Sequence, residues 1–229
     1  SLSLRAKHGI MCGRYTLHLQ KEKLAAAIAF ALPDDYEPDY NIGPGRMALG
    51  ITAHKRTQPI AVMLYWGLRT PQNFHINARL ETADTTPRFR DSWQEHRCLL
   101  PANGFYEWFQ DGITKQPYYI YPAGGDLHYF AGLWFPSGAP DSPSAFVLLT
   151  TQAQPALADI HERMPVILPQ NAVEPWLDGE LNKPGIERLA HEIRLEKHTI
   201  SRRINCVQNK DSRLIEATSP LTDDQMMLF

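Results

Sequence analysis

The chain has 229 residues, 43% of them hydrophobic and 21% charged, with a formal net charge of −2. This composition is ordinary for a globular protein, and the charge excludes a globally basic nucleic-acid coat while allowing a local basic groove. No apolar run in the sequence approaches membrane-spanning length, and the first ten residues lack the apolar stretch of a secretory signal. Three widely spaced cysteines form no zinc-ligand spacing and fit a reducing compartment, so a cytoplasmic location is expected.

Apolar periodicity predicts many short strands and a few helices. The predicted strands are 14–19, 47–53, 60–66, 98–101, 104–109, 117–121, 128–135, 145–151, 166–168 and 197–204. The predicted helical segments are 21–31, 86–96 (a helix or a loop), 154–160, 172–177 and 186–193. The strand at 60–66 is nearly continuous in apolar character, which favours burial on both faces or a place in a barrel wall. Asp111-Gly112 between two strands predicts a hairpin.

These elements do not alternate regularly as strand and helix, which argues against a doubly wound sheet. The predicted fold class is α+β: a single domain with a twisted, mostly antiparallel sheet or partly closed barrel and peripheral helices. We divide the chain into residues 1–10, a leader or mis-called start, residues 11–218, the domain, and residues 219–229, a C-terminal tail.

The segment Met11-Cys12-Gly13 indicates a reactive cysteine that could become the first residue of the chain. If translation began at Met11, removal of the methionine would leave Cys12 with a free α-amine beside its thiol. Such an aminothiol condenses with an aldehyde to an imine, onto which the thiol closes as a thiazolidine ring. The alternative is a buried, inert cysteine, which is what most free cysteines are.

Three further positions are candidates for chemistry. Glu107 lies in an aromatic strand, where alternation places it on one face with Phe105 and Phe109. Burial there would raise its pKa and make it a candidate general acid or base, whereas a solvated edge glutamate fits the local pattern equally well. His161 is a loop histidine whose catalytic role depends on meeting Cys12 in space. Asn77 could orient a reacting group.

Aromatic residues such as Trp66, Trp93 and Trp108 are interleaved with arginines along the chain, as in single-stranded nucleic-acid grooves. By composition alone, core aromatics with scattered surface charge are the better explanation. Arg79, two residues after Asn77, projects from the same strand face and could bind a phosphate. Its alternative role is a surface ion pair with Glu81.

Several segments in this order resemble the SRAP family (SOS-response-associated peptidase fold), whose members process abasic sites. The matching segments are Met11 to Tyr15, Tyr40 to Gly45, Trp66 to Leu68, Ile76 to Thr82, Gly104 to Trp108, Asp159 to Pro165 and Val207 to Asn209 with Leu214-Ile215. The resemblance implies the SRAP fold and a covalent cross-link to abasic sites in single-stranded DNA, including single-strand/double-strand junctions, which shields the lesion.

The resemblance also implies roles for individual residues. Cys12 would form the thiazolidine, Glu107 would act as acid and base, His161 would assist proton transfers and reversal, and Asn77 would position the sugar. DNA contacts are implied for the five positions Arg14, Pro44, Trp66, Arg79 and Arg163. Lyase-like activity on abasic sites and self-processing are further implications, with no metal or organic cofactor, no membrane partner and a monomeric, nucleoid-associated state on damaged DNA.

Two other functions remain open at this point. One is a cysteine-type, self-processing peptidase that uses Cys12, Glu107 and His161. The other is a single-stranded DNA-binding module without catalysis. A peptide bond on the amine of Cys12 would block thiazolidine formation, so residues 1–10 decide whether the cross-linking reaction is available.

Overall fold

A computed structural model describes residues 13–53, 58–112, 114–125, 127–139 and 142–220. The strands are β1 (Tyr15–Leu17), β2 (Asp39–Ile42), β3 (Met47–Thr52), β4 (Ile60–Trp66), β5 (Leu68–Arg69), β6 (Phe74–His75), β7 (Asn77–Arg79), β8 (Arg97–Ala102), β9 (Gly104–Asp111), β10 (Thr114–Pro122), β11 (His128–Phe135), β12 (Ala145–Gln152), β13 (Arg163–Pro165), β14 (Ile167–Leu168) and β15 (Leu195–Thr199). The helices are α1 (Lys21–Ile28), α2 (Pro87–Glu95), α3 (Val173–Leu177) and α4 (Lys183–Glu192). Short 3₁₀ turns lie at Pro155–Leu157, Gln170–Ala172, Arg202–Asn205 and Ser212–Ile215.

The larger sheet closes on itself. Strands β12, β4, β3, β8 and β11 follow one another, and β12 pairs with both β4 and β11, so the hydrogen bonds form a ring. The pairings are antiparallel except where β12 meets β4 and β7. Strands β7, β13 and β14 extend the sheet beyond the ring. The predicted α+β class, with a mostly antiparallel sheet and few helices, is confirmed.

A second sheet has the order β15-β10-β9-β1-β2. Its central hairpin joins β9 to β10, and Gly112 adopts a positive φ of 56° in the turn, as the Asp-Gly signal predicts. Strand β1 lies between β9 and β2, so the beginning of the described chain is held on both sides.

Buried aromatic rings join the two sheets. The ring of Tyr15, on β1, lies 5.3 Å from Trp66 and 5.6 Å from Phe130 by ring centroids. All three side chains are buried, and aromatic residues of this size dominate the energetics of a core. A strand of three residues is therefore anchored by packing as well as by hydrogen bonds.

Three predicted elements differ from the observed ones. The helix expected at 154–160 is only a 3₁₀ turn at Pro155–Leu157. Strand β4 is not buried on both faces, because Ile60 is 57% exposed where β12 pairs only with the far end of the strand, at Tyr65 and Trp66; it lies instead within the closed ring of strands. The last strand ends at Thr199 instead of residue 204, because the Ser201 hydroxyl accepts a hydrogen bond from the Arg203 N–H and caps a 3₁₀ turn. Within the described residues, no helix has the length and apolar character needed to cross a membrane.

Candidate reactive centre and nucleic-acid interface

The beginning of β1 lies between β9 and the turn that follows β2. Tyr15 pairs with Phe105, and the Tyr106 N–H donates to the Arg14 carbonyl at 3.0 Å. Continuing this register places Gly13 opposite Glu107. On the other side, a β-carbon built on Gly43 would lie 3.8 Å from the Gly13 carbonyl oxygen. Cys12 lies outside the described residues, one peptide bond before Gly13.

Glu107 is a buried carboxylic acid. Only 3% of the residue is exposed, and its neighbours on β9, Phe105 and Tyr106, are fully buried. The solvated-edge alternative is therefore wrong, and the buried alternative is correct. A carboxyl group held beside the start of β1 is suited to give or take a proton there.

Trp66 is a core residue. Its indole is fully buried, and its Nε1–H donates to the Ile76 carbonyl at 2.9 Å, directly before Asn77. The Trp66 carbonyl accepts a hydrogen bond of 2.8 Å from Gly45 N, in the turn that contains half-buried Pro44. A direct DNA contact from the Trp66 side chain does not fit this burial. Trp66 instead connects the turn at Pro44 and the ring of Tyr15 to the beginning of β7.

Asn77 and Arg79 lie on β7, which runs parallel to β12, with Asn77 opposite Leu148 and Arg79 opposite Thr150. Asn77 is half-buried and Arg79 is exposed, with buried Ala78 between them. No described acidic side chain forms a salt bridge with Arg79; of the predicted Arg79–Glu81 interaction only a longer-range attraction is observed, a minor contribution beside Arg163 to the lowered pKa of Glu81.

Arg163 pairs with Glu81 instead. The two guanidinium nitrogens of Arg163 lie 2.5 and 2.8 Å from the two carboxylate oxygens, and Nη2 also donates to the Thr150 carbonyl at 2.7 Å. Hydrogen bonds from Arg163 lower the pKa of Glu81. Arg163 is only 8% exposed. The phosphate contact of Arg163 stays a prediction, and because both Nη atoms bind Glu81 a phosphate would have to replace that carboxylate.

His161 is fixed by the backbone of Arg163. His161 Nδ1 lies 3.0 Å from the Arg163 backbone nitrogen and 3.3 Å from the Arg163 carbonyl oxygen, so the ring is held through Nδ1 in either tautomer. Burial lowers the pKa of the half-buried imidazole, so the neutral form is favoured. A neutral histidine held through Nδ1 can exchange a proton with a reacting group at Nε2.

Three exposed arginines have no salt bridge to a described acidic residue: Arg69, Arg79 and Arg88. They belong to one segment of chain, from β5 to α2. Arg69 lies over the ring of Phe74 at 4.8 Å, and Arg88 Nη1 lies 3.4 Å from His75 Nδ1. Phe74 is 39% exposed although it is a large apolar residue. Unpaired guanidinium groups beside an exposed ring are the combination that binds phosphates and bases.

Sequence reasoning missed Phe74 as a surface aromatic, and it considered Trp108 only as one of several aromatics interleaved with arginines. Trp108 is half-buried, lies 5.8 Å from both Arg14 and Lys115, and donates its Nε1–H to Asn205 Oδ1 at 3.0 Å. The signal for Trp108 was its position directly after Glu107, which places it on the opposite face of β9.

The site residues thus fall into two groups. Gly13, Arg14, Pro44 and Glu107 gather at the start of β1. A second group lies around β7, β12 and β13: Asn77, Arg79, His161 and Arg163. The described residues contain no cluster of three or more His, Cys, Asp or Glu side chains that could hold a metal ion.

Comparisons with known proteins identify relatives along most of the chain. Abasic site processing protein YedK of Escherichia coli is 30% identical over 227 residues, covering 90% of this chain and 99% of YedK. Abasic site processing protein YoqW of Bacillus subtilis is 32% identical over 224 residues, covering 90% of this chain and all of YoqW. HMCES of Xenopus tropicalis, also named an abasic site processing protein, is 28% identical, covering 80% of this chain and 67% of HMCES.

Solved structures show the same fold. A protein from Bacteroides thetaiotaomicron matches with a TM-score of 0.75 and 22% identity, covering 90% of this chain and 100% of that one. A phage-related protein from Bordetella bronchiseptica matches with a TM-score of 0.65 and 27% identity, covering 83% of this chain and 95% of that one. The family model for SOS response associated peptidase matches residues 11–207. With a family model across most of its length and relatives at 30% identity or more, the chain belongs to the SRAP family.

Proposed function

We propose that this chain processes abasic sites in single-stranded DNA by forming a covalent thiazolidine cross-link through Cys12. The observation that carries the proposal is the buried carboxyl group of Glu107, in register with the residue that follows Cys12. The relatives named abasic site processing proteins support the substrate class. A covalent linkage would shield the lesion from strand cleavage.

The reaction balances as one aldehyde, one amine and one thiol giving a thiazolidine and one water. The Cys12 amine attacks the ring-opened aldehyde carbon of the abasic sugar, and the resulting carbinolamine loses its hydroxyl as water to form an imine. The thiol adds to the imine carbon, and its proton passes to the nitrogen. An α-amine has a pKa of about 7.7–8.0, so part of it is neutral at physiological pH. Ring closure is intramolecular and gains from high effective molarity.

The described residues supply the proton transfers of this scheme. Glu107 protonates the leaving hydroxyl and then accepts a proton during ring closure. His161 presents Nε2 for proton transfer: its lowered pKa favours the neutral ring, and in the tautomer whose Nδ1–H donates to the Arg163 carbonyl, Nε2 is free to accept a proton from the reacting groups. Asn77 orients the opened sugar from the beginning of β7, whose position Trp66 fixes through Ile76.

The DNA strand is held by the exposed, unpaired arginines. Arg79 lies two residues after Asn77 and binds a phosphate next to the lesion, while Arg69 and Arg88 bind phosphates further along the strand. Phe74 offers a ring for stacking on an unpaired base, which favours single-stranded over duplex DNA. Pro44 borders the lesion from the turn beside Gly13.

The test compares three chains on an oligonucleotide with one abasic site: a chain beginning at Cys12, the same chain with Cys12→Ala, and a chain that keeps the peptide on Cys12. A denaturation-resistant adduct is expected for the first alone, and intact DNA should give none. Absence of the adduct from a chain verified to begin at Cys12 contradicts the proposal.

A second candidate is self-processing, cleavage of the Met11–Cys12 peptide bond with Cys12 and Glu107. The pairing of β1 with β9 favours it, since β9 carries buried Glu107 and β1 is the strand from which the chain leads to that bond. Mass spectrometry of a chain carrying residues 1–11 distinguishes the two functions. Loss of these residues that Glu107→Ala abolishes supports self-processing, whereas a stable extended chain excludes it.

A further inference from the structure

The guanidinium group of Arg14 is hydrogen-bonded to the protein's own backbone. Its Nη1 donates to the carbonyl of Ile204, its Nη2 lies 3.5 Å from the carbonyl of Asn205, and the guanidinium lies over the ring of Trp108. The residue is half-buried, and this burial lowers its pKa. Arg14 therefore differs from exposed, unpaired Arg79, although the resemblance implied the same phosphate-binding role for both.

The acceptors of Arg14 belong to a segment that we call the C-terminal strap, residues 202–209. Ile204 anchors the strap, because it is fully buried in a cluster with Tyr106, Tyr119 and Leu214. Trp108, on β9, ties the strap to the strand that carries Glu107 through its bond to Asn205.

Two asparagines hold the strap in shape. Asn41 Nδ2, on β2, donates to the carbonyls of Cys206 at 3.3 Å and Asn209 at 2.9 Å. Asn209 Nδ2 donates to the Arg203 carbonyl at 2.7 Å, which closes the strap on itself. Asn41 is 2% exposed, so its bonds to the strap are made away from solvent. The strap is thus fixed to β2 and to β9, the two strands that flank β1.

Arg14 is two residues from Cys12, and its carbonyl and its side chain are held by different elements. The carbonyl accepts from Tyr106 on β9, and the guanidinium binds the strap. These contacts fix the backbone of Arg14, the second described residue, at the start of β1. A displacement of about 1 Å of a reacting group can cost on the order of 10²-fold in rate.

We propose that Arg14 is a positioning residue for the cross-linking reaction, which anchors the start of β1, at Gly13 and Arg14, to the C-terminal strap and to the strand that carries Glu107. Arg14 does not bind DNA phosphate in this assignment. The inference rests on the proposed cross-linking reaction.

The test separates positioning from DNA binding. Chains beginning at Cys12 carry Arg14→Ala, Arg14→Lys, Asn41→Ala or Asn209→Ala. Single-strand affinity and its salt dependence are measured on an oligonucleotide with a tetrahydrofuran in place of the abasic sugar, which has no aldehyde. The limiting cross-linking rate is measured at saturating abasic DNA. Gln208→Ala is the matched control, because Gln208 is exposed and its described side-chain bond is to Cys206 within the strap.

Arg14→Ala is expected to lower the limiting rate of cross-linking by roughly 10²-fold. The affinity for the tetrahydrofuran oligonucleotide and its dependence on salt should stay unchanged. Arg14→Lys should recover part of the rate, because an ammonium can still donate to one carbonyl. Asn41→Ala and Asn209→Ala should lower the rate in the same way, and Gln208→Ala should not.

A loss of affinity in Arg14→Ala, with a salt slope smaller by about 0.7, would assign Arg14 to a phosphate and overturn the inference. Unchanged rates in both Asn41→Ala and Asn209→Ala, or an equal loss in Gln208→Ala, would also overturn it. If the unsubstituted chain forms no adduct at all, the proposed function fails, which is a separate result.

Discussion

At the scale of single residues, the buried carboxyl group of Glu107 is a feature that a proton-transfer site needs and a simple binding surface does not. It is buried between aromatic neighbours and stands in register with Gly13. For packing alone, an apolar side chain at this position of β9 would be sufficient. A buried acid beside the N-terminal segment therefore suggests proton transfer as its role.

Glu107→Gln is expected to slow cross-link formation by about 10²-fold or more, because the amide keeps the shape of the carboxyl group and cannot exchange a proton. Denaturing gels of adduct against time measure the rate, and binding to the tetrahydrofuran oligonucleotide should stay unchanged. Cross-linking at the unsubstituted rate would remove Glu107 from the mechanism.

The Glu81–Arg163 pair has a defined pH dependence. Arg163 lowers the pKa of Glu81 from its ordinary value of 4.5, so the pair stabilises the fold fully above that value. The stabilisation is lost as the pH falls through the lower pKa of the folded state. The difference in melting temperature between the unsubstituted chain and Glu81→Gln should therefore shrink between pH 7 and about pH 3. A constant difference over this range would show that the pair is not maintained in solution.

At the scale of elements, the β5–β6 hairpin presents its aromatic ring because of one glycine. Gly67 has a φ of 128°, and a β-carbon there would lie 2.1 Å from Phe74 Cζ. The ring of Phe74 lies against the Gly67 backbone on one side, and Arg69 lies over the same ring. The exposed face of Phe74 is therefore held in a fixed place.

Gly67→Ala should destabilise the protein by about 1–3 kcal/mol through backbone strain and should displace Phe74. For a domain of this size that corresponds to a fall in melting temperature of about 2–4 °C per kcal/mol. Gly138→Ala is the control, because a β-carbon at Gly138 meets nothing within 4 Å. Equal melting temperatures for the two variants would contradict the contact.

The same elements show what the sequence could predict. Alternation indicated the longer strands but missed the short strands β2, β5, β6, β7 and β13. The Asp-Gly pair indicated the β9–β10 hairpin, because that signal is local. The pairing of Glu81 with Arg163 joins residues 82 apart, and the contact of Arg14 with the strap spans 190 residues. Such contacts depend on how the ring closes around β12 and on how the C-terminal segment returns to β2, which no local pattern encodes.

At the scale of the whole molecule, a chain with a net charge of −2 can bind DNA only through an uneven distribution of charge. Most described arginines outside the β5–α2 segment are paired, for example Arg188 with Glu192 and Arg194 with Glu196. Inside the segment, Arg69, Arg79 and Arg88 are exposed and form no salt bridge with a described acid. The electrostatic attraction for a nucleic acid is therefore concentrated on one segment.

This distribution of charge predicts how the affinity for single-stranded DNA depends on salt concentration. Each phosphate contact on single-stranded DNA contributes about 0.7 to the slope of log affinity against log salt, so replacing Arg69, Arg79 and Arg88 with alanine together should lower the slope by roughly 2. The paired variant Arg188→Ala with Arg194→Ala should leave it unchanged, because both side chains are already neutralised by glutamates. Fluorescence anisotropy with a labelled single strand at several salt concentrations measures both slopes. An equal decrease in the two variants would mean that the protein binds DNA through its overall charge instead of the β5–α2 segment.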